Sequence, residues 1–99
     1  MEKDLRLIEL FELYQGLLTE KQRELFSAYY LYDLSLSEIA EPQGTTRQSV
    51  YEGVKKVKSK PIEYERLLKL KEKTQALKEL AGEIKETSLS EKILEIIGR

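Results

Sequence analysis

A short segment of the chain carries the side-chain types that proteins use to recognise nucleic acids. Arginine and glutamine form paired hydrogen bonds with guanine and adenine edges, whereas lysine contacts phosphates. Between residues 45 and 60 the sequence has five basic side chains and a single acidic one. The residues predicted to bind nucleic acid are Thr45, Thr46, Arg47, Gln48 and Tyr51, towards the bases, and Lys55, Lys56 and Lys58, towards phosphates.

The charge of the chain is distributed unevenly. The net charge of −1 by itself predicts little affinity for nucleic acid. Residues 1–50, however, carry five basic and nine acidic side chains, whereas residues 51–99 carry twelve and nine. A local basic patch can bind phosphate in a chain whose total charge is near zero. The alternative is that these side chains form only a solvated helix face.

The composition argues against an enzyme. The chain has neither cysteine nor histidine. It therefore lacks thiolate and imidazole metal ligands, thiol nucleophiles and the commonest general base near neutral pH. No acidic pair is accompanied by a supporting base, a nucleophile or a glycine-rich phosphate loop. We expect no catalytic site, no metal site and no cofactor.

The elements that must position the basic segment are predicted to be helices throughout, which makes the fold all-α. Apolar residues recur at spacings of three and four, and no stretch alternates with period two. Capping boxes at Thr19–Gln22, Ser35–Glu38 and Ser88–Glu91 indicate helix starts. Pro42 and Pro61 are expected to end helices, because proline breaks the hydrogen-bond ladder. The predicted helices cover residues 2–16, 19–32, 35–40, 45–60, 62–84 and 88–97.

The first two predicted helices supply the core. The apolar spacing of the first helix rests on Leu5, Ile8, Leu10, Phe11, Leu13 and Leu17, and the second helix directs Leu25 and Phe26 inward. Base stacking by Tyr29, Tyr30 and Tyr32 is conceivable. Helical spacing behind a capping box favours core packing for these tyrosines instead.

The stretch from Leu36 to Val50 has the layout of a helix-turn-helix. Ala40 is small where two helices cross, and Gly44 allows the turn between them. Ile39 and Val50 are expected to anchor the pair to the core, and a threonine hydroxyl, of Thr45 or Thr46, to cap the second helix. This second helix is the one that would enter a major groove.

Over most of its first 65 residues, and chiefly from Leu18 to Tyr51, the sequence resembles the YlxM family of small bacterial proteins. The motifs that carry the resemblance are Leu18-Thr19-Glu20-Lys21-Gln22, Tyr29-Tyr30-Leu31, Leu34-Ser35-Leu36-Ser37-Glu38-Ile39-Ala40 and Arg47-Gln48-Ser49-Val50-Tyr51. The resemblance implies a fold similar to region four of RNA polymerase sigma factors. It also implies a cytoplasmic dimer with a regulatory or accessory role in signal recognition particle-dependent targeting.

The turn of the motif departs from the family pattern. Pro42 and Gln43 stand where an acidic and an apolar residue are usual, and Thr45 replaces a valine that would be buried. We expect this turn to pack more loosely, because each lost apolar side chain forfeits roughly 1.5 to 3 kcal/mol of burial.

The C-terminal part has more apolar residues than a single small core needs. The predicted organisation is a helix-turn-helix bundle over residues 1–60 and a helical extension over residues 61–99, forming one structural unit. The extension either folds back on the bundle or mediates dimerisation. The dimerisation candidates are Leu67, Leu70, Leu77, Leu80, Ile84, Ile93, Ile96 and Ile97.

The sequence therefore leaves two functions open, which belong to different classes of protein. The first is a nucleic-acid-binding regulatory protein that reads DNA with the second helix of the motif. The second is a protein-interaction module, with a protein or RNA of the signal recognition particle as partner, that uses the motif as a scaffold. The chain has no signal-peptide pattern and no apolar run long enough to span a bilayer, so we expect a cytoplasmic protein.

Overall fold

The computed structural model of the chain describes residues 4–98, and every regular element in this range is helical. The all-α prediction is thereby confirmed. The chain divides into two compact units, Met1–Leu67 and Leu68–Arg99. The α-helices are α1 (Leu5–Tyr14), α2 (Glu20–Phe26), α3 (Leu36–Gln43), α4 (Arg47–Leu68), α5 (Leu70–Gly82) and α6 (Thr87–Ile97), with a 3₁₀ turn at Gln15–Leu17 and a π-helical segment at Ser27–Leu31.

The core of the first unit is built around two stacked phenylalanines. Phe26 is fully buried, and its ring centroid lies 4.0 Å from that of Phe11 with the two planes 3° apart. The ring of Tyr30 packs against Phe26 at a centroid distance of 4.7 Å. The same cluster includes Ile39 of α3 and Val54 of α4. Both helices of the helix-turn-helix are therefore anchored to the core that α1 and α2 form.

The buried face of α1 agrees only in part with the predicted one, because Leu10 and Phe11 are buried but most of the predicted apolar set is not. Tyr14 is almost fully buried, and its hydroxyl donates a 2.6 Å hydrogen bond to Oε1 of Glu65 in α4. This long-range partner fixes which side of α1 faces inward, and no local pattern announces it. The buried residues are Leu7, Leu10, Phe11 and Tyr14, whereas Leu5, Leu13 and Leu17 of the predicted apolar set are exposed. The predicted helix start at Glu2 lies outside the described residues.

The tyrosines after α2 divide between core and surface. Tyr30 is buried and Tyr29 half-buried, with their rings edge to face at 5.1 Å, which confirms their predicted packing. Tyr32 is 72% exposed, so its predicted place in the core is wrong. It follows the π-helical segment Ser27–Leu31, where the chain has already left the helix.

Capping boxes start α2 and α3 as the sequence predicted. The side chain of Thr19 accepts from the Gln22 N–H, and the Gln22 side chain accepts from the Thr19 N–H. Ser35 and Glu38 make the same reciprocal pair. The backbone N–H of Ser35, followed by the Ser35 side chain, holds the pKa of the Glu38 carboxyl below its usual value.

The capping box predicted at Ser88–Glu91 is wrong. α6 begins at Thr87, so Ser88 lies inside its first turn, and the residue before the helix, Glu86, makes no side-chain cap. The hydroxyl of Ser90 instead donates to the carbonyl oxygen of Ala81, 2.8 Å away. A tertiary hydrogen bond between α5 and α6 has thus replaced the local one.

Neither proline ends a helix where the sequence predicted. Pro42 lies in the last turn of α3, which continues to Gln43. A proline there removes one N–H donor from the helix, and because α3 ends one residue later, a single hydrogen bond of the ladder is lost. Pro61 lies inside α4, which runs on to Leu68, so the predicted helix end at Lys60 is wrong.

Burial explains why α4 tolerates Pro61. A proline inside a helix costs about 3 kcal/mol through the lost bond and the ring clash. The Pro61 ring is among the most deeply buried groups of the chain and continues the apolar row of α4. Removing this ring from water offsets part of the local cost.

The second unit is a pair of helices. Lys69 adopts a left-handed conformation with φ at 56°, and this residue separates α4 from α5. α5 and α6 pack against each other, yet Ala81 is the single fully buried side chain among the described residues of this unit. Within residues 4–98, no helix combines the length and the apolar character needed to cross a membrane.

Candidate nucleic-acid interface

The turn between α3 and α4 is closed by backbone hydrogen bonds. Gly44 is left-handed, with φ at 64°. Its N–H donates to the carbonyl oxygen of Glu41 at 3.1 Å, and the N–H of Thr45 donates to that of Ala40 at 3.2 Å. This pair of bonds is the Schellman arrangement that commonly ends helices with glycine. The turn therefore keeps its backbone geometry although Gln43 and Thr45 are both exposed.

A threonine cap fixes the start of α4. The hydroxyl oxygen of Thr46 accepts from the Ser49 N–H at 3.1 Å, and its carbonyl oxygen accepts from the Val50 N–H at the same distance. The cap predicted for Thr45 or Thr46 is confirmed at Thr46. Arg47 and Gln48 therefore occupy the first turn of the helix.

One face of α4 is buried and the opposite face is free. Val50, Val54, Val57 and Pro61 are buried at helical spacing, as the sequence predicted for the three valines. Because a helix repeats every 3.6 residues, the side chains on the opposite side of α4 point away from the core. The structure exposes all eight residues of the predicted site, namely Thr45, Thr46, Arg47, Gln48, Tyr51, Lys55, Lys56 and Lys58.

The exposed side chains of α4 fall into two rows. Arg47, Tyr51 and Lys55 follow one another at intervals of four residues, and the ammonium of Lys55 lies 5.5 Å from the centroid of the Tyr51 ring. At this distance the cation is attracted to the ring. The second row consists of Gln48, Glu52 and Lys56. The base-type side chains thus lie near the start of the helix and the lysines beyond them.

Glu52 belongs to this surface, although the sequence analysis counted it only as an opposing charge. Nε2 of Gln48 donates a hydrogen bond to Oε1 of Glu52, with 2.9 Å between the two atoms. The i,i+4 spacing of an amide and a carboxylate was the available signal, because residues four apart are neighbours on a helix surface.

A shallow depression borders the first turn of α4. Its volume is about 450 Å³, and it is lined by Leu36, Arg47, Gln48 and Tyr51. The apolar surfaces of Leu36 and Tyr51 lie beside two hydrogen-bonding side chains. Apolar surface in such a place can contact a thymine methyl group.

The predicted dimerisation residues are spread over both units. Leu67 belongs to the first unit and is 61% exposed. The others lie in the second unit, where Leu70, Leu77, Leu80 and Ile96 are exposed and Ile84, Ile93 and Ile97 are half-buried. Their role in dimerisation stays a prediction.

The cap, the glycine turn and the anchored pair α3–α4 define a helix-turn-helix protein. A family model described as "Putative helix-turn-helix protein, YlxM / p13 like" matches residues 1–97. The chain belongs to this family, UPF0122, which confirms the resemblance drawn from residues 18–51. The description names no enzymatic activity, and residues 4–98 contain no group of three or more acidic side chains placed to hold a metal ion.

Curated relatives are similar along most of their length. The chain is 41% identical over 95 residues to a UPF0122 protein of Shouchella clausii, covering 96% of this chain and 87% of that protein. It is 45% identical over 86 residues to a UPF0122 protein of Halalkalibacterium halodurans, with 87% and 79% covered. A UPF0122 protein of Bacillus cereus strain AH187 is also 45% identical over 86 residues, with 87% and 78% covered.

Proposed function

We propose that this protein binds double-stranded DNA in a regulatory or accessory role, with the first turns of α4 in the major groove. The observation that carries the proposal is the exposed polar face of α4, which runs from Thr46 to Lys58 opposite a buried row of valines. A capped helix that follows a glycine turn and presents such a face is the element that helix-turn-helix proteins insert into DNA.

The order of side chains along α4 suits this task. Arg47 and Gln48 lie at the helix start, where a recognition helix meets the base edges. Arginine can donate two hydrogen bonds to guanine O6 and N7, and glutamine can pair with adenine N6 and N7. Tyr51 adds aromatic surface one turn further along. These groups would supply the sequence preference.

The lysines supply affinity without sequence preference. Lys55, Lys56 and Lys58 lie two to three turns after the helix start, where α4 would approach the phosphate backbone on leaving the groove. Lysine contacts with phosphates release condensed counterions, so affinity falls as salt rises. This function would place the protein in the cytoplasm.

The test is a fluorescence-anisotropy titration of the full chain with a random duplex DNA and with signal recognition particle RNA, each at two salt concentrations. We expect duplex binding that weakens steeply with salt and that is reduced by Arg47→Ala. Arg6→Ala, which removes an exposed arginine from α1, is the matched control and is expected to bind as the parent does.

Two results would contradict the proposal. One is the absence of duplex binding at low salt. The other is equal binding by the parent, Arg47→Ala and Lys55→Ala, which would show that α4 is not the binding element.

We also propose that the second unit pairs with the second unit of another copy. Its described residues bury one side chain fully, while Leu77, Leu80 and Ile96 remain between 47% and 61% exposed. A unit of 32 residues seldom builds a sufficient core alone. Residues 68–99 carry seven basic and six acidic side chains, so charge repulsion does not oppose self-association. Two paired copies would offer DNA two recognition helices, as other helix-turn-helix dimers do.

Light scattering with size-exclusion chromatography tests this pairing. At micromolar concentration we expect a particle of twice the chain mass of 11.6 kDa. The double substitution Leu77→Ser and Ile96→Ser should shift it to the mass of one chain. Leu5→Ser, which removes an exposed leucine of the first unit, should leave the pair intact. A single-chain mass for the parent protein would contradict the pairing.

A second candidate function is a protein-interaction module of the signal recognition particle machinery that uses the helix-turn-helix as a scaffold. The acidic excess of residues 1–50 supports it, because negative charge disfavours contact with a phosphate backbone. This candidate predicts weak or salt-insensitive duplex binding together with a defined protein or RNA partner. The two nucleic acids in the titration above separate the candidates.

A further inference from the structure

We infer that Glu52 selects the DNA sequence, by requiring cytosine or adenine on one defined strand near the base pair that Arg47 contacts, because the exocyclic amino group of either base can donate to its carboxylate. The inference rests on the proposed function, since it concerns the same face of α4. Glu52 is exposed between two residues of the predicted site, Tyr51 and Lys55, and its carboxylate holds the amide of Gln48.

The hydrogen bond between the two side chains decides what they offer to DNA. Nε2 of Gln48 donates to Oε1 of Glu52, so the amide nitrogen is turned towards the carboxylate. The Gln48 carbonyl oxygen and the second oxygen of Glu52 then remain as acceptors. An ionised carboxylate can only accept hydrogen bonds. The pair therefore presents two acceptor oxygens beside the one remaining N–H of Gln48, whereas Arg47 presents donors alone.

The major groove distinguishes these two kinds of group. Cytosine N4 and adenine N6 carry amino groups that donate, whereas guanine O6 and thymine O4 accept. An amino group opposite Glu52 would be hydrogen-bonded, and a keto group at the same place would face the carboxylate with no proton between them. The arrangement therefore favours a base with an amino group opposite Glu52 and disfavours a base with a keto group there.

The spacing sets where the amino group must lie. Arg47 and Glu52 are five residues apart, which corresponds to about 7.5 Å along a helix axis. Successive base pairs are about 3.4 Å apart. Measured along the helix axis, Glu52 therefore lies about two base pairs from the Arg47-bound guanine. The selected sequence combines this guanine with a cytosine or adenine on one defined strand about two base pairs away.

The carboxylate also weakens binding to DNA in general. It is the single acidic side chain between residues 45 and 60, and it lies beside the lysines that would contact phosphates. A negative charge near phosphates is repelled wherever no amino group compensates it. Glu52 would thus lower the affinity for wrong sequences more than for the right one, which is how repulsive groups create specificity.

The experiment first selects preferred duplexes from a randomised pool with the full-length protein. Anisotropy titrations then compare the preferred duplex with one in which the amino-bearing base is changed by a transition, cytosine to thymine or adenine to guanine. Each change replaces the amino group of that base by a keto group and moves the amino group to the paired base on the other strand. The titrations use the parent protein, Glu52→Ala and Glu12→Ala, the last removing an exposed carboxylate of α1.

We expect the parent to prefer the amino-bearing duplex by about 5- to 150-fold, the range of one good base contact. Glu52→Ala should reduce that preference to about twofold or less and bind the changed duplex more tightly than the parent does, because a repulsive group has gone. Glu12→Ala should keep the parental preference. Exposed alanine favours the helix, so Glu52→Ala should fold as the parent does.

The outcomes separate this inference from the function on which it rests. If the parent binds duplex DNA and Glu52→Ala keeps the parental preference, the role of Glu52 is overturned and the proposed function stands. Selected duplexes that show no preference for cytosine or adenine on that strand at that position overturn it as well. If the parent binds no duplex, the proposed function and this inference fall together.

Discussion

The lysines of α4 give a prediction whose magnitude follows from counting charges. If Lys55, Lys56 and Lys58 each neutralise one phosphate, the slope of log affinity against log salt includes about 0.9 for each of them. Replacing all three by glutamine should lower the magnitude of the slope by about 2.7 per bound chain, and each single replacement by about 0.9. The assay is an anisotropy titration with one duplex at four or more salt concentrations.

A matched triple variant makes this prediction specific to α4. Lys73, Lys78 and Lys85 are exposed residues of the second unit, and replacing them by glutamine removes the same net charge. We expect the slope of this triple variant to equal that of the parent. An equal decrease for both triple variants would show that only the total charge matters, and an unchanged slope for the α4 variant would place the phosphate contacts elsewhere.

Three further predictions concern the fold that holds α4. Tyr14→Phe keeps the buried ring but removes the donor to Glu65, so denaturant unfolding should show a loss of about 1.5 to 3 kcal/mol. Phe26→Ala empties the centre of the core and should cost about 3 to 5 kcal/mol, seen as a lower Tm or as an unfolded protein. Hydrogen bonds from Ser35 lower the pKa of the Glu38 carboxyl in the folded protein. The ionised carboxylate therefore stabilises the fold fully above the pKa of the unfolded chain, and this stabilisation is lost as pH falls through the lower pKa of the folded protein. When the pH is lowered from 6 to 3, the Tm of Glu38→Gln should therefore fall less than the Tm of the parent. Equal decreases would refute the role of the carboxylate.

Local patterns in the sequence were sufficient for the parts of the fold that local physics controls. The capping boxes at Thr19 and Ser35 and the cap at Thr46 each need residues within three positions of one another. The row Val50, Val54 and Val57 follows directly from the helical repeat. The exposure of the proposed site residues on α4 was predictable for the same reason, because the face opposite a buried row must meet solvent.

The features that were missed depend on contacts between distant parts of the chain. The sequence around Pro61 predicts a helix end, but the burial of its ring lets α4 continue to Leu68. The inward face of α1 is set by Tyr14 and its bond to Glu65, 51 positions away. No local propensity contains such information. Glu52 was overlooked for another reason, because charge counting ignores which neighbour a carboxylate bonds.

The most direct test of the central claim is an NMR titration of the isotope-labelled chain with duplex DNA. At 99 residues the protein is small enough for a backbone amide spectrum that locates the interface residue by residue. We expect duplex DNA to shift the amide signals from Thr46 to Lys58 most strongly, and added salt to reverse these shifts. Shifts confined to the second unit, or no shifts at low salt, would contradict the claim that α4 binds DNA.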